Sequence, residues 1–469
     1  MNESWPALDA TILSRIQFGF TITFHIIFPA FSIGLAIFLV ALECLWLRTG
    51  DPRYWRLLRF WTTIFALSFG MGVVSGLVLA YQFGTNWSGL MSHAGQIMGP
   101  LFSYETMTAF FLEASFLGVL LFGWQRVSPA MHCFSTAMVA LGTCISAFWI
   151  MSSNSWMQTP AGYIGHDGVL EPADWLKIIF NPSFLVRYVH MLLASLLATA
   201  LLVAGVAAWY LLRGRFTEVA RPLLKLAFAM IVPLAPLQAM IGDRVGLKIG
   251  EYQPAKLAAI EAQWETSVMP LRLFAWPDQF EARNRFELGI PVLGSIIDEH
   301  SFTRPVRGLK EFAPENRPNV PVLFWSFRVM VGLGLLMIAI GLVGAYLWKR
   351  QRLFDQRLFL RLLVCTAPTG FVAIIAGWYT AEIGRQPYVV YGLLRTSEMV
   401  SPVSMQAVSL SLGLFVAVYI FVFGAGFWYM VQAIRSGPVE VALPNQPCMG
   451  YRPMAAFSGA RRFGERGAT

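Results

Sequence analysis

The stretch SFLVRYVHMLLASLLATALLVAGVAAWYLL, residues Ser183–Leu212, decides the fold. It is apolar for longer than the roughly 20 residues an α-helix needs to cross about 30 Å of hydrocarbon. Eight further stretches meet the same criterion: Gln17–Leu47, Leu57–Gly84, Met98–Trp124, Ala130–Met151, Ala220–Gly242, Pro321–Trp348, Leu358–Ala381 and Ser404–Val431. The expected fold is therefore an all-α polytopic membrane protein of about nine transmembrane helices. Composition agrees, with 56% hydrophobic and 13% charged residues in 469 and a mean hydropathy of +0.58, far more apolar than a soluble chain of this length. The first stretch lacks the basic start and small-residue cleavage site of a secretory signal and is too long for one, so it is expected to be a retained helix.

Basic residues collect after the first, third, fifth and seventh stretches. They are Arg48, Arg53, Arg56 and Arg59; then Arg126; then Arg213, Arg215, Arg221 and Lys225; then Lys349, Arg350, Arg352, Arg357 and Arg361. The tail adds Arg435, Arg452, Arg461, Arg462 and Arg466. Such residues stay cytoplasmic, so the N-terminus is expected outside and the C-terminus inside. Topology thus accounts for the net charge of +9, and no nucleic-acid surface is needed. The expected organisation is six helices over residues 1–242, an extracytoplasmic loop over 243–320, three helices over 321–434 and a cytoplasmic tail over 435–469. Cys44, Cys133, Cys144 and Cys365 lie in or beside helices, Cys448 lies in the tail, and no CxxC or CxxCH occurs. That excludes a disulfide framework, zinc ribbons and covalent c-type heme. Phosphate-binding GxGxxG and GxxxxGK[ST] signatures are also missing.

Ionisable side chains within the apolar stretches are costly, so they direct attention to function. They are His25, Glu105, Glu113, His190, Arg328 and Glu382, with Glu43 and His132 nearer the inner ends. His25, Glu105, His190, Met330 and Glu382 come from five stretches yet share the outer half of the membrane. A lone intramembrane His is often an interhelical hydrogen-bonding residue, and an isolated Met is usually core packing. Two His at one depth, with a Met beside an Arg, suit heme: His/Met ligation gives an electron-transferring heme, and an open face opposite a His or carboxylate permits ligand chemistry. Arg328 either neutralises heme propionates or snorkels to the interface. Glu105 and Glu113 would lie about 12 Å apart along a regular helix and within about 80° around it, which suits a proton relay or two charge partners for basic groups. Trp378 and Glu382 share a helical face just before Gly384-Arg385-Gln386-Pro387-Tyr388, a segment that read alone could anchor the helix at the interface.

Over nearly its whole length the sequence resembles subunit I of the cytochrome bd quinol oxidase family. The resemblance rests on Gly384-Arg385-Gln386-Pro387 preceded by Glu382, on Phe327-Arg328-Val329-Met330, on the Glu105 to Glu113 segment, on His25, and on Gln253-Pro254-Ala255-Lys256-Leu257-Ala258-Ala259-Ile260-Glu261. It implies that His190 and Met330 ligate a low-spin heme b. His25 and Glu382 would serve a high-spin heme b and a third heme, either d or b, with Glu105 beside them and Glu113 on the proton path. Trp378 would lie between hemes, and Arg328 and Arg385 would meet propionates or organise the site. Tyr388 stands where the family usually has Trp, and the outer loop is short; both features are similar to the short-loop, cyanide-insensitive branch.

The implied activity is electrogenic oxidation of ubiquinol at the outer face with reduction of dioxygen to water, without pumping, in the bacterial cytoplasmic membrane. The implied partners are a second oxidase subunit and a single-helix small subunit. Pro254 and the helix formers after it predict a short amphipathic helix on the membrane surface, with Lys256 orienting quinol and Glu261 accepting its proton, or else with both merely solvating an exposed face. Two rivals remain at this point: a secondary transporter with buried carboxylates, and a non-oxidase diheme b anchor.

Overall fold

The computed structural model describes residues 9–440 and 443; Cys448 and the tail residues Arg452, Arg461, Arg462 and Arg466 lie outside the described residues. Among the described residues, nine helices are long and apolar enough to cross a membrane, as the sequence predicts. The first four are Ala10–Thr49, Pro52–Thr85, Ser88–Phe122 and Pro129–Gln158. The fifth to ninth are Phe184–Leu212, Thr217–Tyr252, Val320–Lys349, Arg357–Ile383 and Met405–Ser436.

Local chemistry sets their starts. Ser128, Asn319 and Ser404 each cap a helix by accepting a backbone N–H from Met131, Val322 and Ala407, and Pro occupies the first turn after the first two caps. Three helices depart from the expected course. The fourth continues past Met151 to Gln158, and the sixth passes Gly242 to reach Tyr252, so the loop proper begins ten residues later than expected. The last turns of the fourth are polar and buried, with Ser152, Ser155 and Gln158 facing an interior, whereas those of the sixth set Asp243 and Ile249 on the cavity and Arg244 and Glu251 outward. The third contains a π-turn, Thr106–Phe110, between its two glutamates.

The helices approach closely where a side chain is missing. A Cβ on Gly34 would come within 2.1 Å of Thr199, and one on Gly370 within 2.5 Å of Ala198, so the fifth helix is held between the first and the eighth by small residues. Away from the long loop the bundle is solid, with Leu39, Trp61, Phe65, Tyr210, Phe228 and Leu363 in one continuous core. Toward the loop it is hollow.

Three connections follow the helix ends at the hollow end: a hairpin pairing Tyr163–His166 with Val169–Pro172, the segment after Tyr252, and the turn pairing Tyr388–Val390 with Leu394–Arg395; the last two contribute Gln253, Lys256, Glu261 and Val389 to the cavity wall. The long segment is folded. It holds the helix Pro254–Ile260, an antiparallel hairpin of Leu271–Asp278 and Arg283–Ile290, and the helix Leu293–Glu299. Ala258, Ile260, Trp264 and Leu309 pack with Leu323 and Phe324 at the head of the seventh helix. The helix at Pro254 is therefore buried along Ala255–Ile260. The expected amphipathic helix on the membrane surface is overturned: five apolar residues in six leave it no polar face to turn outward.

Candidate functional site

The hollow end encloses a cavity of about 1990 Å³, roughly twice the upper end of ordinary small-molecule pockets. Apart from Arg328, Glu43 and His132, every candidate residue picked from the sequence lines it.

His25 stands at a joint in the first helix, just before Ile26. Pro29 makes the joint, since its ring nitrogen cannot donate to the His25 carbonyl one turn back. The His25 Nδ1 lies 2.9 Å from Ser75 Oγ, and that hydroxyl in turn donates to the carbonyl of Met71 at 2.9 Å or Gly72 at 3.0 Å. A hydroxyl whose hydrogen is committed to a carbonyl accepts from the imidazole, so Nδ1 carries the proton and Nε2 keeps its lone pair. Outer hydrogen bonds of this kind orient metal-ligating histidines.

His190 has its Nε2 3.2 Å from the Gln238 amide nitrogen, while its buried Nδ1 has no partner among the described residues. Glycine backs both rings and the methionine as well. A Cβ on Gly76 would lie 3.3 Å from His25 Cε1, one on Gly242 3.2 Å from His190 Cε1, and one on Gly377 2.8 Å from Met330 Sδ. Two imidazoles and a thioether face one large cavity, with room made for each by an absent side chain. That donor set fits heme iron.

Glu382 is the hub of a polar network. One carboxylate oxygen accepts from Asn154 at 2.9 Å and from Gln158 at 3.4 Å, and the other pairs with Arg385. Arg187 donates to Asn154 Oδ1 at 2.6 Å and to Ser155 at 2.9 Å. Nε and Nη1 of the buried Arg385 have no partner among the described residues. A buried cation with unused donors calls for an anion, and a heme propionate meets that need.

Asn154, Gln158 and Arg187 are absent from the residues selected from sequence. The first two lie beyond the expected end of the fourth helix. The signal for Arg187 was available, because it is a charge inside an apolar run three residues before His190.

On the loop side, the buried Lys256 ammonium donates to the Ala381 carbonyl at 2.8 Å, to Gln158 at 3.1 Å and to Gln253 at 3.2 Å. Burial, reinforced by the nearby Arg187 guanidinium, holds it well below the usual lysine range. Glu261 is 3% exposed and paired through both oxygens with Arg328, at 2.6 and 3.2 Å. Neither residue solvates an open face. Arg328 also donates to the Arg272 carbonyl at 2.7 Å, so it neither snorkels nor faces the cavity, and it acts on the site through Glu261.

Glu105 accepts from Ser146 at 2.8 Å, and the buried Glu113 lines the same cavity. The π-turn absorbs one residue, so eight steps turn the chain about as far as seven would. The two carboxylates then lie within about 20° of one face, closer than the regular helix predicts. Glu43 and His132 are not brought to the cavity; they pair with each other at 2.6 Å, with Thr136 donating to Glu43.

The model of the family described as cytochrome bd terminal oxidase subunit I matches residues 13–438. Cytochrome bd-II ubiquinol oxidase subunit 1 of Escherichia coli is 32% identical over 505 residues, covering 92% of this chain and 97% of that protein. Cytochrome bd ubiquinol oxidase subunit 1 of Bacillus subtilis is 34% identical over 406 residues, covering 84% and 87%. The bd oxidase structure from Geobacillus thermodenitrificans superposes with a TM-score of 0.85 at 32% identity, over 91% of this chain and 99% of that one. A match that begins in the first membrane helix and ends beyond the ninth is a match to the whole architecture, and the chain belongs to the cytochrome bd terminal oxidase subunit I family.

Proposed function

We propose that this chain is the heme-carrying subunit of a terminal quinol oxidase, taking electrons from ubiquinol beside the 253–319 segment and delivering them to dioxygen within the bundle. One observation carries the reading: ligand-competent side chains from separate helices and the Lys256–Glu261 segment open onto a single cavity. When bound, the hemes supply one-electron transfer and a place for dioxygen to react. His190 and Met330 would hold a low-spin heme b. His25 and Glu382 would hold a high-spin heme b and a third heme, d or b, with Arg385 and Arg187 meeting negative charge and Trp378 between the groups. Tyr388 and the short loop favour the cyanide-insensitive branch.

Lys256 and Glu261 frame the quinol site. Lys256 turns from one of its three protein acceptors to orient the quinol oxygen, and Glu261, held at the cavity by Arg328, accepts the quinol's proton as a general base. Glu105 and Glu113 hand protons along one helical face toward the oxygen-reducing end. Protons released beside the loop and taken up from the opposite side separate charge without a pump. The membrane is the bacterial cytoplasmic membrane, with the N-terminus outside and the C-terminus inside. A second oxidase subunit and a single-helix small subunit complete the enzyme.

Dithionite-reduced and carbon monoxide difference spectra, with analysis of the extracted hemes and quinol-driven oxygen uptake, test the reading. A low-spin band, a carbon monoxide-reactive component and uptake are expected. A chain without heme would be a transporter, and one without the carbon monoxide-reactive component a diheme anchor; either would overturn the proposal.

A further inference from the structure

At the end of the bundle away from the long loop, a second cavity of about 560 Å³ opens between the fifth, eighth and ninth membrane helices. The fifth and eighth helices touch at its deep end, where a Cβ on Gly205 would meet Ala367 at 2.5 Å. The ninth is tied to the fifth nearer the surface by the Tyr210 hydroxyl, which donates to the Ile434 carbonyl at 2.7 Å. That carbonyl is free because the residue four places on is Pro438, which has no N–H to offer. The wall between the helices is apolar, formed by Trp209, Val364, Ala367, Val431 and Ile434. The stretch of helix from Gly205 to Arg213 covers about 12 Å, close to the ~15 Å depth of one leaflet's hydrocarbon. At the mouth stand three exposed arginines from two helices: Arg213 and Arg215 at the end of the fifth, and Arg435 in the last turn of the ninth. Basic residues at this end of a membrane helix are ordinary, but topology alone does not gather three guanidiniums around one apolar cleft. No carboxylate among the described residues pairs with any of the three. Arg213 lies over the Trp209 ring, Arg215 lies over Phe216, and Glu440 pairs with Arg56 instead. The sequence beyond residue 443 is itself basic, with Arg452, Arg461, Arg462 and Arg466 against Glu465.

We propose that this cleft binds one anionic glycerophospholipid of the leaflet away from the long loop, with its phosphate on the arginines and an acyl chain along the apolar wall. Guanidinium forks match phosphate oxygens, and basic pockets between membrane helices suit lipid headgroups. A free phosphate would leave the apolar wall uncovered. A choline or ethanolamine headgroup would bring its own ammonium to a rim that has no carboxylate to meet it, so the site selects an uncharged headgroup alcohol such as glycerol. No described residue of the ninth helix lines the large cavity. The lipid therefore acts by joining that helix to the fifth and eighth, and its effect is on stability rather than on turnover.

The test uses the intact oxidase, delipidated in detergent and titrated with dioleoylphosphatidylglycerol, with melting temperature and native mass spectrometry as readouts. The lipid should raise the melting temperature and stay bound in the spectrometer, while dioleoylphosphatidylcholine and glycerophosphate at the same concentration should do neither. Arg213→Gln, Arg215→Gln and Arg435→Gln should each raise the half-saturating lipid concentration about 5-fold, and the triple variant about 100-fold. Val431→Trp, which fills the cleft and leaves every charge in place, should bind as poorly as the triple variant. Arg350→Gln with Arg352→Gln, which removes two arginines at the same end of the bundle but outside the cleft, should titrate like the parent. The reduced heme spectrum should match the parent throughout, and the single variants carry the comparison if the triple one loses it. An unaltered titration in the arginine variants or in Val431→Trp overturns the proposal. So does equal stabilisation by phosphatidylcholine, which would make the cleft blind to charge, or by glycerophosphate, which would make it an anion site without a lipid. An equal loss in the Arg350 and Arg352 variant would assign the binding to diffuse surface charge and overturn it too.

Discussion

Replacing Gly377 with Ala tests the proposed low-spin site without touching a ligand. The new Cβ would stand 2.8 Å from Met330 Sδ, whereas ordinary contact begins at 3.4 Å, so the sulfur must retreat by about 0.6 Å. Metal–ligand distances tolerate only about 0.2 Å, so the thioether would stretch from or leave the iron. Folding should hardly notice. Bending a flexible methionine off its rotamer costs about 0.5–1.5 kcal/mol, and exchanging Gly for Ala inside a helix returns about 1 kcal/mol. Gly377→Ala should therefore express and melt like the parent while its reduced low-spin band shifts or fades and the carbon monoxide-reactive component remains. The assay is a pair of difference spectra beside a thermal melt. An unchanged low-spin band, with the melt also unchanged, would refute ligation by Met330.

Other outcomes follow from the same geometry. Glu261→Ala leaves Arg328 buried without its counter-charge, a loss of about 3–5 kcal/mol in thermal or denaturant stability, and quinol-driven uptake should fall while artificial-donor uptake survives. Ser75→Ala removes the acceptor that fixes the His25 tautomer and should weaken retention of the group on His25 about 10–100-fold, read as heme lost on dilution. His25→Ala and Glu382→Ala should each lose the carbon monoxide-reactive component together with oxygen uptake, and full retention of both would contradict the assignment for that residue. Lys256 sits well below its usual value of 10.5, so from its folded value up to 10.5 the unfolded chain binds the extra proton and stability rises with pH. Lys256→Met should flatten that alkaline rise in melting temperature, and an undiminished slope would show the lysine to be hydrated.

The membrane helices were legible in sequence because crossing hydrocarbon demands a long apolar run, and a run such as Ser183–Leu212 admits few other readings. His25, His190 and Glu382 stood out for the opposite reason, as ionisable groups where such groups are rare, whereas Met330 stood out only beside Arg328; the structure brings all four to one cavity. Helix ends facing the cavity were not legible. Asn154 and Gln158 look like loop because polarity usually marks water, yet here they face an interior, and the turns from Asp243 to Tyr252 look like loop because Arg244 and Glu251 do face outward while Asp243 and Ile249 line the cavity. The helix at Pro254 failed for the same reason: its lysine reads as exposed until Ala381, Gln158 and Gln253 supply three buried acceptors. The Glu261–Arg328 pair joins residues 67 positions apart, and no local spacing announces it.

Gln158 is bonded at once to the loop's Lys256 and to Glu382. Its amide oxygen receives the lysine and its amide nitrogen reaches the carboxylate, so neither end can change charge or position without the other feeling it. Such a tie is reciprocal by thermodynamic necessity: whatever engagement of Glu382 does to the affinity of the loop for its ligand, that ligand does equally to Glu382. With Lys256 at the quinol and Glu382 at an oxygen-reactive heme, as proposed, the two ends of the molecule become linked equilibria, and the affinity measured at one is a function of occupancy at the other.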